Sequence, residues 1–321
     1  MRRIAAALLV PLTGCLVLAG CGSSGSSSTG NANATVKVTG QFDKAPKVSI
    51  PNEAPSSKLV YSTPIKGSGA TLVSDNSILA YVTLYKWSGT KHSQVVGSGT
   101  QMIPANMGLS GLATALKGAR IGSRIVAVLP PKYGWGSAGE SELSITGSDT
   151  TVWVLDLLQQ YSPTQSATGK QVSSGGGSLP TVSAQTGKAP VISIPKKTSP
   201  PSKLSVTTLI KGTGPKLVKG DTVVAQYVGS IWRNGKVFSS TWPSSSEPTG
   251  VPFSFQLGGQ VLAGWNDGLV GVPVGSRVML VIPPALGYGP SGGQSSAGIE
   301  KNDTLVFVID VLGVEPASSA S

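Results

Sequence analysis

The sequence predicts an α+β protein of two tandem domains, each a twisted antiparallel β-sheet curled over one short helix. Three observations lead there. The chain repeats itself once, with an offset that grows from about 144 to about 154 residues, a period that means tandem domains rather than a solenoid. Each copy is rich in short β-branched runs punctuated by turn residues, and 42 Gly and 23 Pro in 321 residues favour turns and strands over long helices. The second copy holds one good helical pattern, Leu262 to Val270, in which Leu262, Trp265 and Leu269 share a face. A sheet folded over one helix buries both apolar surfaces.

Residues 1–20 read as a leader. Met1-Arg2-Arg3 is positive, Ile4 to Ala19 is apolar, and the run is too short to span a membrane. Leu18-Ala19-Gly20-Cys21 resembles a bacterial lipobox, which implies acylation of Cys21 and a lipid-anchored protein at the extracytoplasmic face of a bacterial cell membrane. More than one acyl chain gives stable anchoring. Cys15 leaves with the leader, and residues 21–45 are expected to form a flexible tether.

The first domain is placed at 46–161 and the second at 189–316. Lys44-Ala45-Pro46 returns as Lys188-Ala189-Pro190, and Ile65-Lys66-Gly67 as Ile210-Lys211-Gly212. Gly122-Ser123-Arg124 returns as Gly275-Ser276-Arg277, and the segment from Asp149 as that from Asp303. Residues 162–188 are Ser/Thr/Gly/Gln-rich and read as a linker. In the second copy Thr222 to Trp232, Arg277 to Ile282 and Thr304 to Leu312 are predicted strands, the last placing Leu305, Phe307 and Ile309 on one face. Asn234-Gly235 predicts a type I′ hairpin turn.

Chemistry is bounded by what is scarce. Both Cys lie in the first 21 residues, so the folded part has no disulfide or cysteine-metal framework. One histidine, His92, excludes His-based triads and multi-His metal sites, and it is expected on the surface. No metal site and no cofactor loop are predicted. The net charge of +11 is scattered and no basic helix appears, so a solvated basic surface is expected and nucleic acid is not.

The second copy shows an ordered series: Ala225-Gln226-Tyr227, Val237-Phe238-Ser239, Phe253-Ser254-Phe255, Val261-Leu262-Ala263-Gly264-Trp265, Ile282-Pro283-Pro284, Gly287-Tyr288-Gly289 and Thr304-Leu305-Val306-Phe307. Along about 110 residues this resembles the FKBP family of peptidyl-prolyl cis-trans isomerases, which turns the predicted fold into two FKBP-like domains. The resemblance implies a proline-binding pocket of Tyr227, Phe238, Trp265, Tyr288 and Phe307, with Trp265 as its floor and Tyr288 donating its hydroxyl to a substrate carbonyl. It implies substrate contacts from Phe253, Val261, Leu262, Ser239 and Ile299. Implied partners are proline-containing exported polypeptides and, by the same resemblance, macrolide ligands; no cofactor is implied. The chemistry suits a chain poor in acid and base groups. The barrier to peptide rotation is about 18–20 kcal/mol, X-Pro bonds populate both isomers, and an apolar pocket that desolvates the carbonyl favours the twisted state.

Two positions depart from the family pattern. Ser239 stands where the family has Asp, and Ile299-Glu300-Lys301-Asn302-Asp303 replaces a proline-containing loop. The first copy is eroded: Tyr81 is aligned with Tyr227 and Trp153 with Phe307, but Leu112 stands for Trp265 and Trp135 for Tyr288. That copy is expected to be weak or inactive, with Met102, Met107 and Leu109 offering an apolar groove. Two other readings remain: a non-catalytic envelope chaperone or Pro-peptide-binding module, and a spacer or solute-binding lipoprotein. The pocket aromatics in family order favour the isomerase.

Overall fold

A computed structural model describes residues 36–104, 107–245 and 249–317. The leader and Cys21 lie outside the described residues. Among the described residues two larger antiparallel sheets, each with a short helix, are accompanied by three two-stranded pairs.

The first unit begins with a hairpin of β1 (Lys37–Thr39) and β2 (Lys47–Ser49). Its sheet comprises β3 (Val60–Ile65), β4 (Ser77–Ser88), β5 (Lys91–Ile103), β6 (Arg124–Leu129) and β7 (Thr150–Tyr161), in the order β3-β6-β7-β4-β5. Helix α1 (Ser110–Leu116) packs against it. The chain between the sheets adds β8 (Lys170–Gln171) and β9 (Thr181–Ser183), the latter paired with β10 (Val191–Ser193).

The second sheet contains β11 (Ser205–Lys211), β12 (Thr222–Ile231), β13 (Val237–Ser240) and β14 (Phe253–Gln256). After α2 (Ala263–Leu269) come β15 (Arg277–Ile282), the short pair β16 (Gly293–Gln294) and β17 (Ile299–Glu300), and β18 (Leu305–Glu315). The order β13-β12-β18-β15-β11 repeats that of the first unit, with β14 also on β12 and β8 on the outer edge of β11.

Both units share their irregularities. The ladder slips between Leu79 and Ala80 and between Val224 and Ala225, leaving Leu158 and Leu312 as the extra residues. A buried ion pair ties the last two long strands in each: Arg124 to Asp156 at 2.6 Å, and Arg277 to Asp310 at 2.6 Å through its second oxygen. Buried charges need such pairing. The preceding chain adds to each pair, since the Asp43 amide donates to Asp156 (2.7 Å) and the Ala167 amide to Asp310 (3.0 Å).

Each helix lies close on its sheet because glycine faces the strand. A Cβ on Gly264 would come within 2.6 Å of Ile282, and one on Gly111 within 2.8 Å of Leu129. The back of each sheet is covered by the upstream hairpin. Ile50 and Val48 pack on Trp87, Val128 and Val152, while Val182, Ile192 and Ile194 pack on Trp232, Met279, Val281, Val306 and Val308. The indole nitrogens close the arrangement: Trp87 donates to Glu53 O (2.9 Å) and Trp232 to Thr198 O (3.2 Å).

Two local expectations are corrected. The loop at Asn234-Gly235 is not a type I′ turn, because only Gly235 has positive φ (70°). Ile231 N–H donates to Lys236 O, which leaves four residues in the loop, and a loop that long needs one left-handed residue at its end. Tyr81 does not match Tyr227. Its partner across the ladder is Asp156, as that of Gln226 is Asp310, so Tyr81 lies on the back face and Val82 holds the Tyr227 position.

Candidate functional site

The inner face of the second sheet carries a cluster of rings. Residues two apart on a strand share a face, so β18 turns Leu305, Phe307 and Ile309 inward, and β12 turns Ala225 and Tyr227 the same way. Gly229 pairs with Phe307 across the ladder. A Cβ there would lie 2.8 Å from both Phe238 and Phe307, so the absence of a side chain is what admits the two rings.

Trp265 is the hub. Its ring centroid lies 5.2 Å from Tyr227, 5.2 Å from Phe307, 5.1 Å from Phe255 and 6.2 Å from Phe253, all at steep interplanar angles. Phe238 meets Phe307 edge-on at 5.5 Å, and Tyr227 meets Phe253 at 6.1 Å. Edge-to-face pairs at these distances set positive ring edges on negative faces. Trp265 is only 4% exposed, whereas Tyr227, Phe238 and Phe253 remain half-buried, so the indole forms the base and the others rise around it. The indole nitrogen is buried without a hydrogen-bond partner among the described residues.

The other expected residues surround this cluster. Val261 and Leu262 immediately precede α2, half-buried against the core. Asn266 fixes their loop by accepting from Gly258 N (2.7 Å) and donating to Gly259 O (3.2 Å). Ile299 is buried in the same core, on β17. Tyr288 follows the single turn Pro284–Leu286 and is half-buried beside Tyr227. Ser239 Oγ and the Tyr227 hydroxyl are 2.8 Å apart. This neutral pair holds the phenol where the family pattern has a carboxylate.

Burial, partly offset by the Ser239 bond, pushes the Tyr227 pKa up, and burial followed by the nearby Tyr227 does the same to Tyr288. Both phenols therefore keep their protons through the neutral range and can donate. Nothing in the cluster suits a metal, and among the described residues no three His, Cys, Asp or Glu side chains gather.

Phe255, part of the ordered series but assigned no role from it, stacks on Phe253 at 5.5 Å and touches Trp265. The signal was present: Phe253 and Phe255 are two apart on one strand. The Tyr227–Ser239 pair and the opening at Gly229 had no sequence signal beyond residue type.

The first unit fills the same positions differently. Its register puts Val82 for Tyr227, Gln101 for Phe253, Ile103 for Phe255 and Trp153 for Phe307, and its helix puts Leu112 for Trp265. Trp135, in the backbone conformation of Tyr288, stacks on Trp153 at 5.8 Å and 28°. Strand β5 is continuous, with slips in its ladder to β4, where the second unit has β13, a loop and β14. At the shared slip Val95 stands for Phe238, so an aliphatic side chain replaces that ring.

Comparison with known proteins singles out the second unit. Residues 214–312 match the family described as FKBP-type peptidyl-prolyl cis-trans isomerase. The chain is 39% identical over 116 residues to the FK506-binding protein of Streptomyces anulatus, covering 36% of this chain and 89% of that protein. It is 42% identical over 110 residues to the FKBP-type peptidyl-prolyl cis-trans isomerase FkpA of Escherichia coli K12, covering 34% of this chain and 36% of FkpA. It is 43% identical over 107 residues to a probable isomerase of the same type from Haemophilus influenzae, covering 33% of this chain and 41% of that protein.

Proposed function

The chain belongs to the FKBP-type peptidyl-prolyl cis-trans isomerase family, and from that premise we propose that its second unit accelerates X-Pro rotation in exported polypeptides while the first unit does not. The observation that carries the reading is the convergence of Tyr227, Phe253, Phe255 and Phe307 on the buried indole of Trp265.

The proline ring enters between Phe238, Phe253 and Phe307 and rests on Trp265. The pocket strips water from the prolyl amide. Resonance that keeps the bond planar is strongest when water solvates the polarised carbonyl, so its removal favours the twisted state. Tyr288, protonated and half-exposed, donates its hydroxyl to the substrate carbonyl, and Val261 and Leu262 contact the substrate backbone and side chain. No proton is transferred and no covalent bond forms. Each 1.4 kcal/mol taken from the barrier gives about tenfold in rate.

In the first unit Leu112 removes the indole floor and the Trp135–Trp153 stack occupies the opening, so it serves as a binding or spacing domain. The lipobox-like Leu18-Ala19-Gly20-Cys21 supports anchoring through Cys21 at the extracytoplasmic face. Macrolides of the FK506 class are candidate competitors at the same pocket, with Ser239 weakening them relative to a carboxylate at that position.

A protease-coupled assay of a Phe-Pro peptide with residues 22–321 tests the reading. Acceleration that competes with a proline-containing peptide is expected. Binding of such a peptide without acceleration would replace the isomerase with a chaperone or peptide-binding module. Anchoring is checked separately, by palmitate labelling that Cys21→Ser abolishes.

A further inference from the structure

Two loops frame the ring cluster, and one arginine joins them. The loop after β12 leads to β13, which carries Phe238 and Ser239. The late loop from Ile299 to Asp303 presses Ile299 into the core. Arg233, on the first loop, donates from Nε to Asp303 Oδ1 (2.8 Å) and from Nη2 to Asp303 Oδ2 (3.0 Å). Its Nη2 also lies 3.0 Å from Glu300 Oε1. The same Asp303 carboxylate accepts the Glu300 amide at 2.8 Å, and Glu300 O accepts the Asp303 amide at 3.0 Å. One buried carboxylate therefore both closes the turn at Glu300–Asp303 and receives the fork of Arg233.

We propose that Arg233, Asp303 and Glu300 form a positioning clamp that fixes the late wall of the pocket at Ile299 against the wall at Phe238 and so sets the fit of the substrate. The inference rests on the isomerase reading of this site. Three points support it. A two-pronged guanidinium–carboxylate contact fixes orientation as well as distance. The Asp303 side chain is only 3% exposed and so held in place by its surroundings, while Arg233, 45% exposed, reaches it from the solvent side and links the two loops through that fixed carboxylate. The first unit has the same turn without the clamp: Asp149 accepts Thr146 N and Oγ1, both at 2.8 Å, and Ser88 occupies the place of Arg233. The arginine is present only where the full set of rings is present.

The test uses residues 22–321 as wild type, Arg233→Ala, Arg233→Lys and Asp303→Asn. Turnover of Phe-Pro and Leu-Pro peptides, thermal melting and hydrogen exchange at the Glu300 amide are read in the same samples. Asp303→Asn keeps an acceptor for the Glu300 amide while removing the ion pair, so it separates clamp from turn. Arg233→Ala is expected to lower kcat/KM about tenfold, mainly through KM, by misplacing one wall. Arg233→Lys should recover part of the loss, and exchange at Glu300 should quicken in Arg233→Ala with melting nearly unchanged. Wild-type kcat/KM in both Arg233→Ala and Asp303→Asn would overturn the clamp, as would a lowered melting temperature with kcat/KM intact. A wild type without turnover would overturn the isomerase reading instead, and the exchange data would tell the two failures apart.

Discussion

Leu112 and Trp265 hold the same place on α1 and α2, so the molecule itself contains the substitution that should disable its pocket. Trp265→Leu is expected to leave the fold intact, as the first unit shows. It should lower kcat/KM roughly thirtyfold, about 2 kcal/mol of transition-state stabilisation. Gly229→Ala should act from behind the rings, driving Phe238 and Phe307 apart at about 1–3 kcal/mol of stability and slowing turnover; chemical denaturation and the peptide assay read the two effects. Tyr227 and Tyr288 both titrate above their ordinary value of 10.0, so turnover should be flat from about pH 6 to about pH 9 in a pH–rate profile. At this scale much was legible, because the order of the rings is itself a sequence pattern. Phe255 stood in that order but was given no role, although strand alternation puts it on the face of Phe253. Tyr81 was misassigned by one residue, and in a strand that is enough to reverse a side chain's face.

The elements show why a strand can mislead. Leu305, Phe307 and Ile309 read as one apolar face, but Val306 and Val308 are equally buried, under the β9–β10 hairpin. That hairpin comes from a segment whose composition suggested only a linker and an entry to the domain, and its role emerges from tertiary contact alone. A fragment beginning at residue 204 should therefore expose Trp232, Met279, Val281, Val306 and Val308. It should melt well below a fragment beginning at residue 163 and show more dye binding to apolar surface. Equal melting temperatures would show that the hairpin adds nothing to the sheet. The helix was legible to within a residue at each end, since Leu262, Trp265 and Leu269 needed only the period of 3.6. The turn at Asn234-Gly235 was not, because its loop length depends on the register of β12 with β13.

Across the whole molecule the two units meet through their matching ladder slips. Leu79, Tyr161 and Val224 form a buried cluster flanked by Met102, Leu158 and Leu312. A Cβ on Gly313 would lie 2.1 Å from the Tyr161 hydroxyl, so Gly313→Ala should loosen the contact and split one calorimetric transition into two. Near this contact Asp43 and Glu315 are both held above the ordinary carboxylate range, by burial first in each case. Folding then favours their protonated forms, so this contribution to stability grows as pH falls through the raised values. Asp43→Asn should raise the melting temperature at pH 7 and weaken its rise toward about pH 5. The presence of two like units was legible; the docking of one copy on the other was not, because Leu158 and Leu312 look like ordinary strand residues until the slips turn them outward. The most direct test is exchange NMR of an X-Pro peptide with catalytic amounts of residues 22–321. Cis–trans exchange peaks are expected with wild type and with Trp135→Ala, and their loss with Trp265→Leu. Exchange at the wild-type rate in Trp265→Leu would contradict the assignment of catalysis to the second unit's ring-walled pocket.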